Sequence, residues 1–382
     1  MKYLIPEFSG IGDLIQKTPL IASITELDSE ASIFIIGDNR WGALEVIDGS
    51  PMIKEVCNLT RLLNLRLPKV YTNKEVVKLY RKLSYVKKRR LKKWLADIEW
   101  DVFLDSSESD VPAVVIDMIE TSKRGLILSN VDTSNSHRSS VLDHLVGRKK
   151  RLESKFVPLR KQRHDIDLNY DLLEAYVGNT ITRTYNTWIS LSSCPVKPAR
   201  SEPFPKQYIC LQPGAANGSP TPKRWNPTNF IDLSSRIIKK YSYGVVLLGD
   251  QGDSKKIIEK YEWPDGVINL AGRTTVSQVC SLIKNAMCVV AHDSGIMHLA
   301  NAMTVPLVAL YGPTDHVRTR PFGLNSKILY SRTRAFSIMS RTEKSEEKLA
   351  DEYPNYEAMD GISVDDVENV VQEFVGRNAI DE

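Results

Sequence analysis

The sequence predicts an α/β protein of two domains, each built on a mostly parallel sheet. Three observations carry this reading. Short apolar runs alternate with amphipathic segments along both halves of the chain, the pattern of parallel strands joined by crossover helices. The 382 residues are enough for about two domains. Residues 180–206 are rich in Ser, Thr and Pro, which reads as a crossing between the halves.

In the first half, Tyr3–Phe8 reads as a strand and Ser9–Asp13 as a turn with two glycines. Leu14 to about Leu27 reads as a helix, with a kink expected at Pro19. Ser32–Gly37 and Val102–Asp105 are further strands. Between them, residues 73–94 (NKEVVKLYRKLSYVKKRRLKKW) hold ten basic residues and one acid. Val76, Val77, Leu79, Tyr80, Leu83 and Val86 recur there at roughly helical spacing. The segment reads as a basic amphipathic helix facing an acceptor or an anionic membrane surface, or more plainly as a solvated helix face. A second basic cluster, Arg148–Arg163, holds eight Lys/Arg and one Glu.

In the second half, Gln207–Leu211 restarts a strand. Pro227–Lys240 is a helix with Phe230, Leu233, Ile237 and Ile238 on one face. Tyr243–Gly249 is a strand, and Val276, Val279, Cys280 and Ile283 mark another helix. Met287–Val290 and Val305–Tyr311 are strands around a short helix. Ser363–Gly376 is a closing helix with Ser363 as N-cap and acids in its first turn. The divisions read as an N-terminal domain 1–185, a linker 186–206, a C-terminal domain 207–345, and a segment 346–382 packing back toward the N-terminal domain.

Composition narrows the classes. Hydrophobic residues at 42% and charged residues at 26% are those of a globular chain, and a net charge of +4 calls for no nucleic-acid partner. The five cysteines are scattered with no CxxC and read as reduced thiols. The opening MKYLIPEF is cut short by Pro6 and Glu7, unlike a signal peptide, and no apolar run approaches the roughly 18 residues that cross a bilayer. The expectation is a cytoplasmic protein with peripheral contact at the inner face of a membrane.

Three stretches carry chemistry. AHDSGIMHLANA (291–302) follows a strand and opens a helix. The first turn of a helix offers free N–H groups and a positive dipole end, worth roughly 0.3–1 kcal/mol to an anion. Ser294, Gly295 and Ile296 supply those groups, and His298 leans back over them. Asp293 stands ready to accept from a hydroxyl. The plainer reading is a helix capped by Asp293 with a core His298. LQPGAANGSPTPKRWNPTNF (211–230) is a loop able to wrap a phosphate, with Lys223 as a point charge, although it lacks P-loop spacing. LLGDQGD (247–253) places Asp253 at a strand end, as a ribose ligand or an exposed turn residue.

Taken together, PGAANGSPTPKRWNPTNF, VVLLGDQGD, INLAGRTTVSQVCSLIKNAMCVVAHDSGIMHLANAMTVPLVALYGPT and, at the front, GIGDLIQKTP resemble glycosyltransferase family nine, the bacterial heptosyltransferases of lipopolysaccharide core assembly. The likeness is collinear over about 209–323 and short at 9–20. It implies a GT-B fold, two Rossmann-like domains facing across a cleft, with donor in the C-terminal domain and acceptor in the N-terminal one. It implies inverting transfer from a nucleotide-activated sugar, ADP-heptose, to a cell-surface glycan or glycolipid such as lipopolysaccharide core, with neither metal nor cofactor. Carried onto this chain, Asp13 becomes the catalytic base. Gly12, Lys223, Asp253, Leu270, Gly272, Asp293, Ser294, Gly295 and His298 become donor contacts. Lys223 and the DSGxxH positions serve the diphosphate and sugar, Asp253 (in place of the family's usual Glu) the ribose, and Leu270 and Gly272 the adenine.

Departures from the family fall on the acceptor side. Glu7 stands where an Arg is common, residues 73–94 have no counterpart, and the cysteines often found near the family's C-terminal end are absent from 331–362. Two other readings compete. One is a catalytically silent nucleotide-sugar-binding protein. The other is a dinucleotide-dependent oxidoreductase, for which GIG at 10–12 is only a fragment of the fingerprint.

Overall fold

The computed structural model describes residues 1–65, 78–79, 81–98, 100–106, 111–112, 125–131, 152–158, 163–190, 204–215, 221–341 and 346–378. The chain divides into two units, Met1–Ser190 and Leu191–Glu382.

The first unit holds six parallel strands: β1 (Lys2–Glu7), β2 (Ser32–Gly37), β3 (Glu55–Asn58), β4 (Val102–Asp105), β5 (Gly125–Val131) and β6 (Leu152–Pro158). Their order is β3-β2-β1-β4-β5-β6. The chain reverses its direction of travel between β1 and β4, the switch point where open α/β sheets hold ligands. Helix α1 (Ile11–Leu27) follows β1 and runs through Pro19 without a break. Pro19 has no N–H for the Ile15 carbonyl, and the Thr18 hydroxyl donates to that oxygen instead, at 2.7 Å. Helix α2 (Tyr85–Ile98) buries Leu91, Leu95 and Ile98 against the core. Thus the basic segment is not one helix over 73–94: Leu83 and Ser84 are non-helical, Leu83 is buried, and the helix continues to Ile98. Residues 73–77 and 80 lie outside the described residues. So do 148–151 and 159–162 of the second basic cluster, of which 152–158 form β6.

Helix α3 (Asp165–Val177) packs on α1. Residues 186–190, expected to begin the linker, are fastened to this unit along with 181–185. Arg183 pairs with Asp167, Asp171 and Glu174, and the Trp188 indole donates to the Thr18 carbonyl at 2.9 Å. The boundary therefore falls after Ser190. Residues 191–203, which include Cys194, lie outside the described residues.

The second unit repeats the plan with β7 (Tyr208–Leu211), β8 (Gly244–Leu247), β9 (Val267–Asn269), β10 (Cys288–His292), β11 (Leu307–Tyr311) and β12 (Ser326–Tyr330), in the order β12-β11-β10-β7-β8-β9. Its switch point lies between β7 and β10. The connecting helices are α4 (Pro227–Tyr241), α5 (Gln251–Lys256), α6 (Val276–Lys284) and α7 (Gly295–Ala302). Helix α8 (Val364–Asn378) starts as the sequence indicates, with the Ser363 hydroxyl accepting the Asp366 N–H at 3.1 Å. Its apolar residues Val367, Val371, Phe374 and Val375 lie in the core of the second unit with Phe230 and Leu233 of α4. Arg236 and Lys240 of α4 pair with Glu368 of α8.

Candidate active site

Of the nine residues expected at the donor, all but Gly12 come together along one edge of the second sheet. The segments following the carboxyl ends of β10, β7, β8 and β9, four adjacent strands, carry Asp293 to His298, Gln212 to Ala215 with Lys223, Asp253, and Leu270 with Gly272. The Ser294 hydroxyl donates to the Gln212 side chain at 2.6 Å and ties the β10 loop to the β7 loop at the switch point.

Ser294, not Asp293, is the N-cap of α7, and its hydroxyl turns to Gln212 rather than capping the helix. The first-turn N–H groups therefore receive no side-chain cap. The helices beginning after Asn58, His164, Asn226, Asp250, Thr275 and Asp315 all take one. Among described α-helices with an assigned N-cap, the others lack it only at α7 and α1. Asp293 instead accepts from the Thr319 hydroxyl at 3.0 Å and lies 3.9 Å from His298 Nε2. Burial holds the His298 pKa below its ordinary value, against the pull of Asp293. Burial thus favours the neutral imidazole of His298, an N–H donor.

Lys223 forms an ion pair with Glu346 at 2.9 Å. The neighbouring Arg224 is buried and donates to the Ala215 carbonyl at 3.0 Å. Asp253 is 3% exposed and completes a capping box with Asp250, accepting the Asp250 N–H at 3.2 Å. Its carboxylate thus orders the start of α5, and the exposed-turn reading fails. A Cβ on Gly214 would lie 2.1 Å from the Asp253 carboxyl carbon, so the loop after β7 can approach Asp253 only as glycine. Gly272 has φ +70° and a Cβ there would lie 2.6 Å from Gln251 Cα, which fixes this glycine by backbone geometry. Leu270 donates its N–H to the Leu247 carbonyl at 3.0 Å.

One organising residue was not anticipated. His292, the last residue of β10, is fully buried and accepts the Trp225 N–H at 2.9 Å, with its other ring nitrogen 3.2 Å from the Gly214 carbonyl. It fastens both arms of the 212–225 loop to the sheet. Trp225 stacks edge-on with Phe230 and donates to the Ile362 carbonyl at 2.9 Å. Residues 216–220 of this loop lie outside the described residues.

In the first unit, Gly12 and Asp13 occupy the first turn of α1, at the carboxyl end of β1 and beside that sheet's switch point. The Asp13 side chain is exposed. Its pKa is pushed up, to about 7, first by lost hydration and next by the charge of Glu7; Lys17 opposes this and Asp165 adds to it. Because the side chain stays exposed, the Glu7 charge is the cause the geometry supports most directly. Glu7 itself is fully buried. One carboxylate oxygen meets Lys17 Nζ at 2.6 Å and the other accepts the Ser9 N–H at 2.7 Å.

A sequence profile of glycosyltransferase family 9 (heptosyltransferase) matches residues 89–350. The chain belongs to glycosyltransferase family 9. Asp13 lies ahead of the matched residues. A family relative, the lipooligosaccharide heptosyltransferase 2 of Haemophilus influenzae, is 35% identical over 129 residues, 32% of this chain and 36% of that protein. The match thus spans about a third of the relative's length. The structure of Escherichia coli ADP-heptose lipopolysaccharide heptosyltransferase II superposes with a TM-score of 0.64 at 20% identity, over 99% of this chain and 100% of that one. The E. coli heptosyltransferase WaaC with ADP-2-deoxy-2-fluoro heptose gives 0.65 at 15%, over 98% and 99%. At these identities the likeness establishes the fold of this family 9 chain, the GT-B fold.

Proposed function

We propose that this chain is an inverting, metal-independent glycosyltransferase that moves heptose from ADP-heptose to a cell-surface glycan such as lipopolysaccharide core. The observation that carries this is the uncapped first turn of α7 at the switch point of the second sheet, within the DSGxxH motif. Its N–H groups are donors awaiting an anion. The donor diphosphate sits there, supported by Lys223 and by the neutral N–H of His298. Gly12, Asp253, Leu270, Gly272, Asp293, Ser294 and Gly295 complete the donor contacts, Asp253 chiefly by holding α5 and the Gly214 approach in place.

Asp13 acts as the general base. It takes the proton of the acceptor hydroxyl as that oxygen bonds to the anomeric carbon. The bond from this carbon to the diphosphate breaks, and ADP leaves with the electron pair. A base whose pKa lies near the working pH suits this role. The exposed basic face of α2 (Arg89, Arg90 and Lys93) faces an anionic acceptor or membrane surface. Among the described residues no helix is long and apolar enough to cross a membrane.

Thermal unfolding with ADP-heptose, followed by release of ADP on addition of rough lipopolysaccharide, tests the reading. Donor at 100 times its dissociation constant adds about 2.7 kcal/mol of stability. Stabilisation without any ADP release would favour the silent binding protein. Stabilisation by NAD and not by ADP-heptose would overturn the proposal. EDTA should leave turnover unchanged, and restoration by magnesium after complete inhibition would refute metal independence.

A further inference from the structure

Asp13 and Lys17 stand four residues apart on α1, the spacing that sets an acid and a base side by side on one helix face. They make no such pair. Lys17 is 3% exposed, and its ammonium donates to the Glu7 carboxylate at 2.6 Å and to the Pro6 carbonyl at 3.0 Å. Asp13 has no ion-pair partner among the described residues. The start of a helix favours a carboxylate's charged form and so weakens it as a base. A lysine pairing at the adjacent turn would weaken it further.

We infer that Glu7 is a positioning residue for Asp13: it draws the Lys17 ammonium into the buried β1–α1 turn and leaves the Asp13 carboxylate unpaired to accept a proton. Glu7 is unsuited to be the base itself, because both of its oxygens are engaged and it is sealed from solvent. The other charged group bearing on Asp13 is Asp165, at the start of α3, which acts in the same direction as Glu7. The inference rests on reading Asp13 as the base.

The full-length protein, labelled with carbon-13 at aspartate carboxyls, allows a direct titration. The Asp13 signal is the one missing from Asp13→Asn. In Glu7→Gln the ammonium is released to Asp13, and the titration midpoint falls by about one pH unit or more. ADP release from ADP-heptose with rough lipopolysaccharide falls with it. Glu7→Gln with Lys17→Met removes the ammonium as well, so midpoint and turnover both recover. An unchanged midpoint in Glu7→Gln, or a double variant that stays inactive, overturns the inference. If Glu7→Gln does not fold, the double variant, which buries no charge at this pair, still decides. Asp13→Asn that keeps turnover defeats the base assignment alone, since the titration is read without substrate.

Discussion

His292 Nε2 accepts the Trp225 N–H at 2.9 Å, and on its far side the ring reaches the Gly214 carbonyl at 3.2 Å. One neutral imidazole thereby holds the start and the finish of the loop that carries Lys223. The arrangement requires a proton on Nδ1 and none on Nε2. Burial, the largest influence, together with Arg224 and Lys223 pushes its pKa down to about 3, against the Gly214 carbonyl.

This makes an acid-sensitive staple. A histidine with a folded pKa below its unfolded value, about 6.5, contributes stability that is present above that value and lost as pH falls from it toward 3. Urea midpoints should therefore drop between pH 7.5 and pH 5 in the parent, and drop less in His292→Gln. Equal drops in both would show that another group carries the acid sensitivity.

Asp13 has the opposite sign. Its folded pKa is raised, so its contribution is fully present below about pH 4 and is lost as pH rises through about 7. Asp13→Asn should match the parent's stability at pH 4 and exceed it at pH 8, while losing turnover by roughly 10²–10⁴-fold. A variant less stable than the parent at pH 8 would contradict this.

Lys223→Ala should weaken ADP-heptose binding about tenfold, as expected for a lost charge-assisted hydrogen bond, and leave adenosine binding unchanged. Isothermal titration with both ligands decides it. Equal losses would mean that Lys223 acts on loop folding.

Gly272→Ala introduces a Cβ 2.6 Å from Gln251 Cα at φ +70°. It should cost about 1–3 kcal/mol in urea unfolding. Unaltered stability would show that the β9 loop yields readily.

Replacing Arg89, Arg90 and Lys93 with Gln should reduce binding to anionic liposomes and leave ADP-heptose affinity intact. Unchanged liposome binding would leave this face of α2 merely solvated.

Much of the fold was legible because its determinants are local. The strand Ser32–Gly37 and the cap at Ser363 can be read from alternating elements and one hydroxyl in sequence. The stretches proposed to hold the donor meet at one sheet edge for the same reason, being continuous and placed at strand ends. What escaped depends on distant partners. Lys17 looks like an ordinary helical neighbour of Asp13 until Glu7 is seen to be buried. His292 lies beyond the strand read over Met287–Val290, and its part appears only when the loop from β7 folds over it. Lys223 meets Glu346 from more than a hundred residues away, with no local signal. The α8 face is equally apolar whichever sheet it covers.

The Lys223–Glu346 pair changes what donor binding would be. A diphosphate arriving at Lys223 does not meet a bare ammonium; it replaces a carboxylate already there. The event is an exchange of one anion for another, with the tether of the outgoing one built into the chain. Such an exchange gives up part of the Coulomb gain, so donor affinity would respond only shallowly to ionic strength. With Lys223 at the proposed donor site, occupancy would also be linked to release of the helix Glu346–Glu352, so that ligand would be felt at a segment that need not touch it.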